Sequence, residues 1–170
     1  MREDSAIVRV TQIPSAGGFV VKADSKGLPD ALRSLSGLGA VEELEGSDLL
    51  LLRVGDASSD PKSAWQRILD RVRSAQWVAP LVLDDRSHPH FPTGDVTVRF
   101  DRAPSDSELE QFAAAHGLRV QRRNEFVSEQ VSFTPAQPRR TYLPELLQSL
   151  GSEKGVAAAW ANTLSRYRRR

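Results

Sequence analysis

The chain has 170 residues, of which 39% are hydrophobic and 26% are charged, and its formal net charge is +1. This composition can bury a core and excludes disordered and collagen-like classes, and the length allows one medium domain or two small ones. The lack of cysteine excludes disulfide frameworks, thiolate metal sites and thiol nucleophiles. The N-terminus has no apolar signal segment, and no apolar run approaches the length of a membrane helix. We therefore expect a cytoplasmic protein.

The first half of the chain predicts the element order strand, helix, strand, strand, helix, strand, preceded by one extra strand. The strands are expected at 6–13, which is the extra one, and at 18–22, 41–44, 49–54 and 77–83. The first helix is marked by an apolar stripe of helical spacing at Leu28, Ala31, Leu32 and Leu35.

The second helix of this half has a clear start signal. Asp60 is a favourable N-cap, and Pro61 stands at the first helical position. Apolar residues then recur at i, i+3, i+4 and i+7, from Trp65 to Val72. This spacing predicts an amphipathic helix that packs on one face of a sheet.

Residues 85–94 are polar and interrupted by proline and glycine, which is typical of a linker. The same order of elements then repeats, with strands expected at 95–100, 118–121, 130–134 and 156–164. A capping box from Ser105 to Glu108 begins one helix. The other helix is marked by Leu143, Leu146, Leu147 and Leu150.

The repeated order predicts an α+β fold of two tandem ferredoxin-like βαββαβ units, each an antiparallel sheet with helices on one face. The expected boundaries are 1–84 for the first unit with its extra strand, 85–94 for the linker, 95–165 for the second unit and 166–170 for a basic tail. Because the halves share little sequence identity, an α+β chain that merely divides into similar halves stays an alternative.

A sheet with helices on one face leaves its other face open. In the second unit the residues expected on that face are Thr97, Arg99, Gln130, Ser132, Ala157 and Ala159. These small or polar residues suit solvent or a protein partner equally well, and we take Thr97, Arg99, Gln130 and Ser132 as a partner-docking face. In the first unit the four leucines at 49–52 are apolar on both faces, so we expect the extra strand or the other unit to cover its outer face.

The sequence contains no recognisable catalytic motif. His88 and His90 could bind a metal ion together, but a solvated loop is the favoured interpretation of histidines in such a segment. His116 is interpreted as the C-cap of a helix. No glycine-rich phosphate loop and no Gly-x-Ser-x-Gly motif occurs. We expect no enzyme activity, no cofactor and no metal.

Nucleic-acid binding is also not expected. Bases stack on outward aromatic residues of sheets of this kind, and none of the expected outward positions in the second unit is aromatic. Apart from Arg166 and 168–170, the chain is slightly acidic. An alternative in which this basic tail binds phosphate stays open.

Three motifs of the second half carry a family resemblance. The alternating strand 96–100 ends in a basic and an aromatic residue, an acidic helix leads to Gly-Leu-Arg-Val at 117–120, and Gly-Val at 155–156 precedes small residues and Asn162. In this pattern the second half resembles the prodomains of subtilisin-like serine proteases and the standalone inhibitors built on the same fold. Ala161 departs from it, since the family usually has proline there. The first half resembles the family only faintly, through Trp-Val-Ala-Pro at 77–80.

The resemblance implies a protease inhibitor that can also act as a folding chaperone. The open sheet face would dock on two helices of the protease, and the segment after the last strand would lie in the substrate cleft. The residues of that segment are Asn162, Thr163, Leu164, Ser165, Arg166, Tyr167, Arg168, Arg169 and Arg170. If Arg170 fills the first pocket, Tyr167 fills the fourth. Two alternatives stay open: occupation of the cleft around Leu164, or a basic tail that serves only solubility.

The resemblance also suggests that Glu125 and Glu129 cap N-termini of protease helices. Because Met1 follows no signal sequence and no protease follows Arg170, we expect a separately encoded inhibitor, and a prodomain excised from its enzyme stays an alternative. A second hypothesis is a ferredoxin-like regulatory protein–protein interaction module without a protease partner.

Overall fold

A computed structural model describes residues 13–23, 38–44, 47–54 and 60–164. The strands are β1 (Ile13–Ala23), β2 (Leu38–Glu43), β3 (Leu49–Val54), β4 (Ala75–Leu83), β5 (Pro89–His90), β6 (Pro92–Phe100), β7 (Leu118–Arg123), β8 (Gln130–Pro135) and β9 (Val156–Thr163). The helices are α1 (Pro61–Arg71), α2 (Asp106–Ala115) and α3 (Leu143–Gly151), with a 3-10 turn at Pro138–Arg140. Residues 6–12 of the predicted strand 6–13 and the predicted helix around 28–35 lie outside the described residues, and Ile13 is the first residue of β1.

The described strands form two antiparallel sheets. The first has the order β2-β3-β1-β4-β5, and the second has the order β7-β8-β6-β9. All their pairings are antiparallel. With the three helices, the fold is therefore α+β, as the sequence predicts.

Parts of the segment 85–94 belong to strands. The two-residue strand β5 pairs with β4, with His90 opposite Val82. The Asp84 carboxylate accepts hydrogen bonds from the backbone N–H groups of Arg86 and His88, at 2.8 and 2.9 Å, which closes the turn between these strands. Strand β6 then begins at Pro92. Only Phe91 therefore separates β5 of the first sheet from β6 of the second in the sequence.

The first core lies between α1 and one face of the first sheet. The Asp60 carboxylate accepts a hydrogen bond from the backbone N–H of Ser63, which confirms the predicted N-cap. The indole Nε1 of Trp65 donates to the carbonyl of Val78 at 2.8 Å and anchors the helix on β4. The buried residues of this core are Phe19, Val21, Leu52, Ala64, Trp65, Ile68, Leu69, Val72, Ala75 and Val78.

The second core joins the two halves. Val20, Leu51 and Trp77 lie on the face of the first sheet opposite α1, and they belong to one buried cluster with Val96 and Phe133 of the second sheet. Helices α2 and α3 complete this cluster with Leu109, Ala113, Leu143 and Leu150. The outer face of the first sheet is therefore covered by the other half, which confirms one of the two coverings expected from the leucine run.

Polar and aromatic contacts also join the two halves. The guanidinium of Arg139 donates to the carbonyls of Leu69, Val72 and Ala75, at 2.7, 3.1 and 2.7 Å, and so satisfies acceptors at the end of α1. The ring of Tyr142 packs on that of Trp65 with centroids 5.2 Å apart. Burial raises the pKa of Tyr142 to about 12, because it disfavours the phenolate.

Candidate docking face

The face of the second sheet opposite α2 and α3 is the candidate site. Antiparallel pairing places Ser132 beside Thr97, and Thr97 beside Trp160, in a row across β8, β6 and β9. Directly paired residues point to the same side of a sheet. The neighbouring residues Val96, Val131 and Ala161 point to the other side, where they are buried. We call this surface, which carries Thr97, Arg99, Gln130, Ser132 and Trp160, the open face.

A hydrogen-bond network fixes the centre of the open face. The hydroxyl of Thr97 donates to Oδ1 of Asn162 at 2.7 Å and lies 3.0 Å from the hydroxyl of Ser132. Thr97 is only 9% exposed. Its side chain therefore forms the buried floor of the open face. The hydrogen bond from Thr97 holds the Asn162 side chain against the sheet.

An open cavity of about 380 Å³ lies on this floor. Trp160 forms one side of it, and Phe126 stands at the turn between β7 and β8. The lining residues are Thr97, Arg122, Arg123, Asn124, Phe126, Gln130, Ser132 and Trp160. The cavity thus combines two aromatic rings with cationic, amide and hydroxyl groups.

The turn that carries Phe126 is held in shape by Asn124. Its Oδ1 accepts from the backbone N–H groups of Phe126 and Val127, at 2.9 and 3.1 Å, and its side-chain nitrogen donates to Oε1 of Gln130 at 3.2 Å. Phe126 is nevertheless 92% exposed. Together with Trp160, this exposed ring adds apolar surface to the lining of the cavity.

The charges around the cavity are mainly positive. None of the eight residues that line it is a carboxylate. Arg122 lies 3.9 Å from Glu125, and both side chains are largely exposed, so this pair holds the guanidinium only loosely. Arg123 is engaged elsewhere, because it donates to the Pro104 carbonyl and to Asp106. Arg122 is therefore the cation that the cavity can offer.

The structure brings together Thr97, Gln130 and Ser132, three of the residues predicted for a docking face, around the cavity. Arg99 lies on the same face, opposite Gln130, but does not line the cavity. The prediction that Ala159 points outward is wrong. It pairs with Val98 and packs against the core, because the register of β9 is shifted by one residue from the expected one.

Sequence reasoning missed Trp160, and with it the aromatic character of the face. None of the outward positions expected in the second sheet is aromatic, but Trp160, which was not among them, faces outward and lines the cavity together with Phe126 of the turn. The signal was weak because 156–161 reads Val-Ala-Ala-Ala-Trp-Ala, in which nearly every position is apolar. Pairing with Thr97 is what identifies the outward residues.

Glu125 and Glu129 lie in the turn between β7 and β8, as expected. Glu125 is exposed beside Arg122, and Glu129 is half-buried. The backbone carbonyl of Glu129 accepts a hydrogen bond from the N–H of Phe100, at 2.9 Å, which ties the turn to β6. Only Glu125 thus presents a largely exposed carboxylate.

The end of β9 is anchored to the sheet. Thr163 pairs with Pro92, and the backbone N–H of Leu164 donates to the carbonyl of Phe91 at 2.9 Å. The side chain of Leu164 packs against the second core. Of the predicted cleft-binding residues, Asn162 to Leu164 therefore belong to the folded body, and 165–170 lie outside the described residues.

The histidines take positions away from the open face. His90 and His88 lie 3.1 and 3.4 Å from the Asp84 carboxylate. The backbone N–H of His88, followed by the side chain of His90, holds the pKa of Asp84 well below its usual range. His116 is the C-cap of α2, as expected, and lies 3.5 Å from Glu153. In the part of the chain that the structure describes, no three potential metal ligands come together.

Comparison of the chain with known protein families and with curated proteins finds no match. Among the described residues, no helix is both long and apolar enough to cross a membrane.

Proposed function

We propose that this chain inhibits a subtilisin-like serine protease, with the open face on the enzyme surface and residues 165–170 in the substrate cleft. The observation that carries the proposal is the course of β9. This strand crosses the open face with Trp160 and Asn162, is anchored at Leu164, and leads directly into the basic segment. Docking of the face would thus fix the origin of the peptide that enters the cleft.

We further infer that each half is a ferredoxin-like unit. The order β7-β8-β6-β9, with antiparallel pairs throughout and helices on one face, agrees with the fold that the family resemblance implies. The order β2-β3-β1-β4 of the first sheet has the same connectivity of strands. These arrangements support the proposal without identifying a partner.

The two halves have different parts in this proposal. The face of the first sheet opposite α1 is filled by the second half, through residues such as Trp77 and Leu51. It therefore offers no sheet face of this kind to a protease. The first half acts as a brace that holds the second in shape, and the second half makes the contact.

The anchoring of Leu164 favours one arrangement in the cleft. A leucine that packs against the core and donates its backbone N–H to Phe91 would have to leave both contacts to enter a pocket of the protease. We therefore place the cleft segment after Leu164, among Arg166, Tyr167 and the last three arginines. Backbone pairing with an enzyme edge and alternate side-chain pockets would hold it there.

The test is inhibition of a panel of subtilisin-like proteases by the intact chain and by a chain that ends at Leu164. This end point keeps β9 and its last contacts, so the fold is retained. We expect inhibition by the intact chain and a loss of at least about 100-fold in affinity without the segment, because several backbone and side-chain contacts disappear together. Replacing the tail arginines with glutamine removes their charge and keeps the backbone, so it shows how much of the affinity comes from charge and how much from backbone pairing. Equal inhibition by both chains would contradict cleft binding.

A second candidate is a protein–protein interaction module that uses the open face alone. The cavity beside Trp160 and the exposed Phe126 favour it, because neither feature depends on the tail. This candidate predicts that reversing the charge of Arg99 weakens partner binding while removal of 165–170 does not. Comparison of the intact chain with the chain that ends at Leu164 therefore distinguishes the two candidate functions.

A further inference from the structure

The cavity on the open face has a chemistry that a flat sheet contact does not require. We propose that it receives a carboxylate side chain of the partner protein, while Phe126 packs against apolar surface next to that carboxylate. The inference rests on the proposed function for the partner's identity as a protease, but its binding test does not depend on that identity.

Arg122 is the group that would bind the carboxylate. A guanidinium offers N–H donors in a fork that matches the two oxygens of a carboxylate. Its present neighbour Glu125 is 3.9 Å away, and the two side chains are 71% and 74% exposed. A partner carboxylate would therefore compete with Glu125 for the Arg122 guanidinium, and the existing ion pair is long and exposed to solvent. No carboxylate lines the cavity, so the negative charge that a partner carboxylate must compete with at Arg122 is that of Glu125 beside it.

The aromatic residues supply the apolar part of the contact. Trp160 forms a wall of the cavity, and Phe126 projects from the turn that Asn124 holds with three hydrogen bonds. A turn that is ordered before binding loses little conformational entropy on binding. Aromatic anchors of this kind, beside an arginine, are the side chains that carry most of the energy in protein interfaces.

The distribution of charge favours an acidic protein surface over a nucleic acid. Asp95 lies on the same face toward one end, where it accepts hydrogen bonds from Gln121 and Thr134, and Glu125 lies at the other end. A nucleic-acid backbone would run its phosphates past one of these carboxylates. A single partner carboxylate at Arg122 has only Glu125 to compete with, and the pairing of Glu125 with Arg122 is loose.

The first arm of the test uses two amphipathic peptides with the same leucine positions, one with glutamate and one with lysine at all polar positions. Binding to the intact chain is followed by 15N NMR, including the indole N–H of Trp160. We expect the glutamate peptide to bind and to shift the signals of Arg122, Ser132 and Trp160. Preference for the lysine peptide, or no binding of the glutamate peptide up to about 1 mM, would overturn the proposal.

Matched variants then test the site itself. Arg122→Glu should weaken binding of the glutamate peptide at least about tenfold, whereas Arg119→Glu, on the same strand and face but outside the cavity, should change it less than about threefold. Phe126→Ala should weaken binding about tenfold or more, and Val120→Ala, an exposed apolar residue outside the cavity, should not. If Arg122→Glu and Arg119→Glu weaken binding equally, the peptide responds only to the overall charge of the face, and the proposed site is overturned.

Two more results separate this inference from the proposed function. If the glutamate peptide binds at Arg122 but no protease of the panel is inhibited, the cavity assignment stands and the inhibitor proposal fails. If a protease is inhibited with the same affinity by the intact chain and by Arg122→Glu and Phe126→Ala, the cavity assignment fails and the inhibitor proposal stands. Binding of a single-stranded oligonucleotide that Arg122→Glu abolishes, without binding of the glutamate peptide, would also overturn the assignment.

Discussion

The indole of Trp77 lies directly against the backbone of Gly94, so closely that a Cβ on this glycine would stand 2.8 Å from Cε2 of the indole. Trp77 belongs to β4 of the first sheet and Gly94 to β6 of the second. A small pocket of about 10 Å³ beside this contact is lined by both residues and by Pro135, Pro138 and Leu143, among others. At this contact the two halves therefore pack closely and leave little room for an added side chain.

The first prediction concerns this contact. Gly94→Ala should lower the free energy of unfolding by about 3 kcal/mol or more, because the new methyl group meets the indole and the backbone φ of +94° is unfavourable for alanine. Gly155→Ala is the control, since its φ is +86° but a Cβ would meet nothing within 4 Å. It should cost only about 1 kcal/mol. Urea unfolding measures both, and equal costs would contradict the close packing.

The second prediction concerns Arg139, whose guanidinium donates three hydrogen bonds to backbone carbonyls after and within α1. Arg139→Ala should lower the free energy of unfolding by about 2 to 3 kcal/mol, because it leaves part-buried acceptors without their donor. Arg140→Ala, an exposed neighbour, should stay within about 0.5 kcal/mol of the native chain. Thermal or urea unfolding of the two variants provides the comparison. If Arg139→Ala changes the free energy of unfolding only slightly, the three hydrogen bonds of Arg139 do not stabilise the contact between the halves.

Local signals in the sequence predicted much of the fold. Strand β3 occupies the predicted residues 49–54, and the caps at Asp60 and Ser105 are present with their expected hydrogen bonds. Each of these depends on residues within a few positions of one another. The covering of the leucine run also followed from its composition, since a strand that is apolar on both faces must be buried on both.

Features that depend on distant pairing could not be predicted. The register of β9 is set by hydrogen bonds to β6, with an irregularity at Arg99 and Phe100, and the apolar run around Trp160 carries no alternation that could specify it. Strand β5 forms only because β4 lies beside it. The cavity of the docking face depends on both the register and the turn at Asn124, so it became visible only in three dimensions.

The third prediction tests that register through tryptophan fluorescence. Trp65 and Trp77 are 5% and 8% exposed, whereas Trp160 is half-buried at the cavity. Trp160→Phe should therefore remove most of the emission that acrylamide quenches, and Trp65→Phe should leave it in place. If quenching is unchanged by Trp160→Phe, the indole faces the core and the outward residue is a neighbour.

The fourth prediction concerns acid stability. Hydrogen bonds from Arg102, and from the backbone N–H of Ser105, lower the pKa of Glu108 to about 2, compared with its ordinary value of 4.5. The ionised carboxylate therefore favours the folded state above its ordinary pKa, and this contribution is lost as the pH falls from 4.5 towards 2. The stability difference between the native chain and Glu108→Gln should shrink over that range in urea unfolding.

Arg102→Gln provides a check on the cause. Because the Arg102 side chain is the largest contributor to the lowered pKa and the backbone N–H of Ser105 also contributes, removal of Arg102 should reduce the pH dependence in part, whereas Glu108→Gln removes it. A difference between native chain and Glu108→Gln that stays constant with pH would show that the carboxylate keeps its ordinary pKa in the folded state.

The central claim is that the segment after Leu164 occupies the substrate cleft of a subtilisin-like protease while the open face holds the enzyme. The most direct measurement is the rate at which a fluorophosphonate labels the active-site serine of an inhibited protease, with the intact chain or with the chain that ends at Leu164. We predict that the intact chain slows labelling strongly and that the shorter chain, although it still binds, does not. Unchanged labelling in a complex with the intact chain would contradict the claim, because the cleft would then be empty.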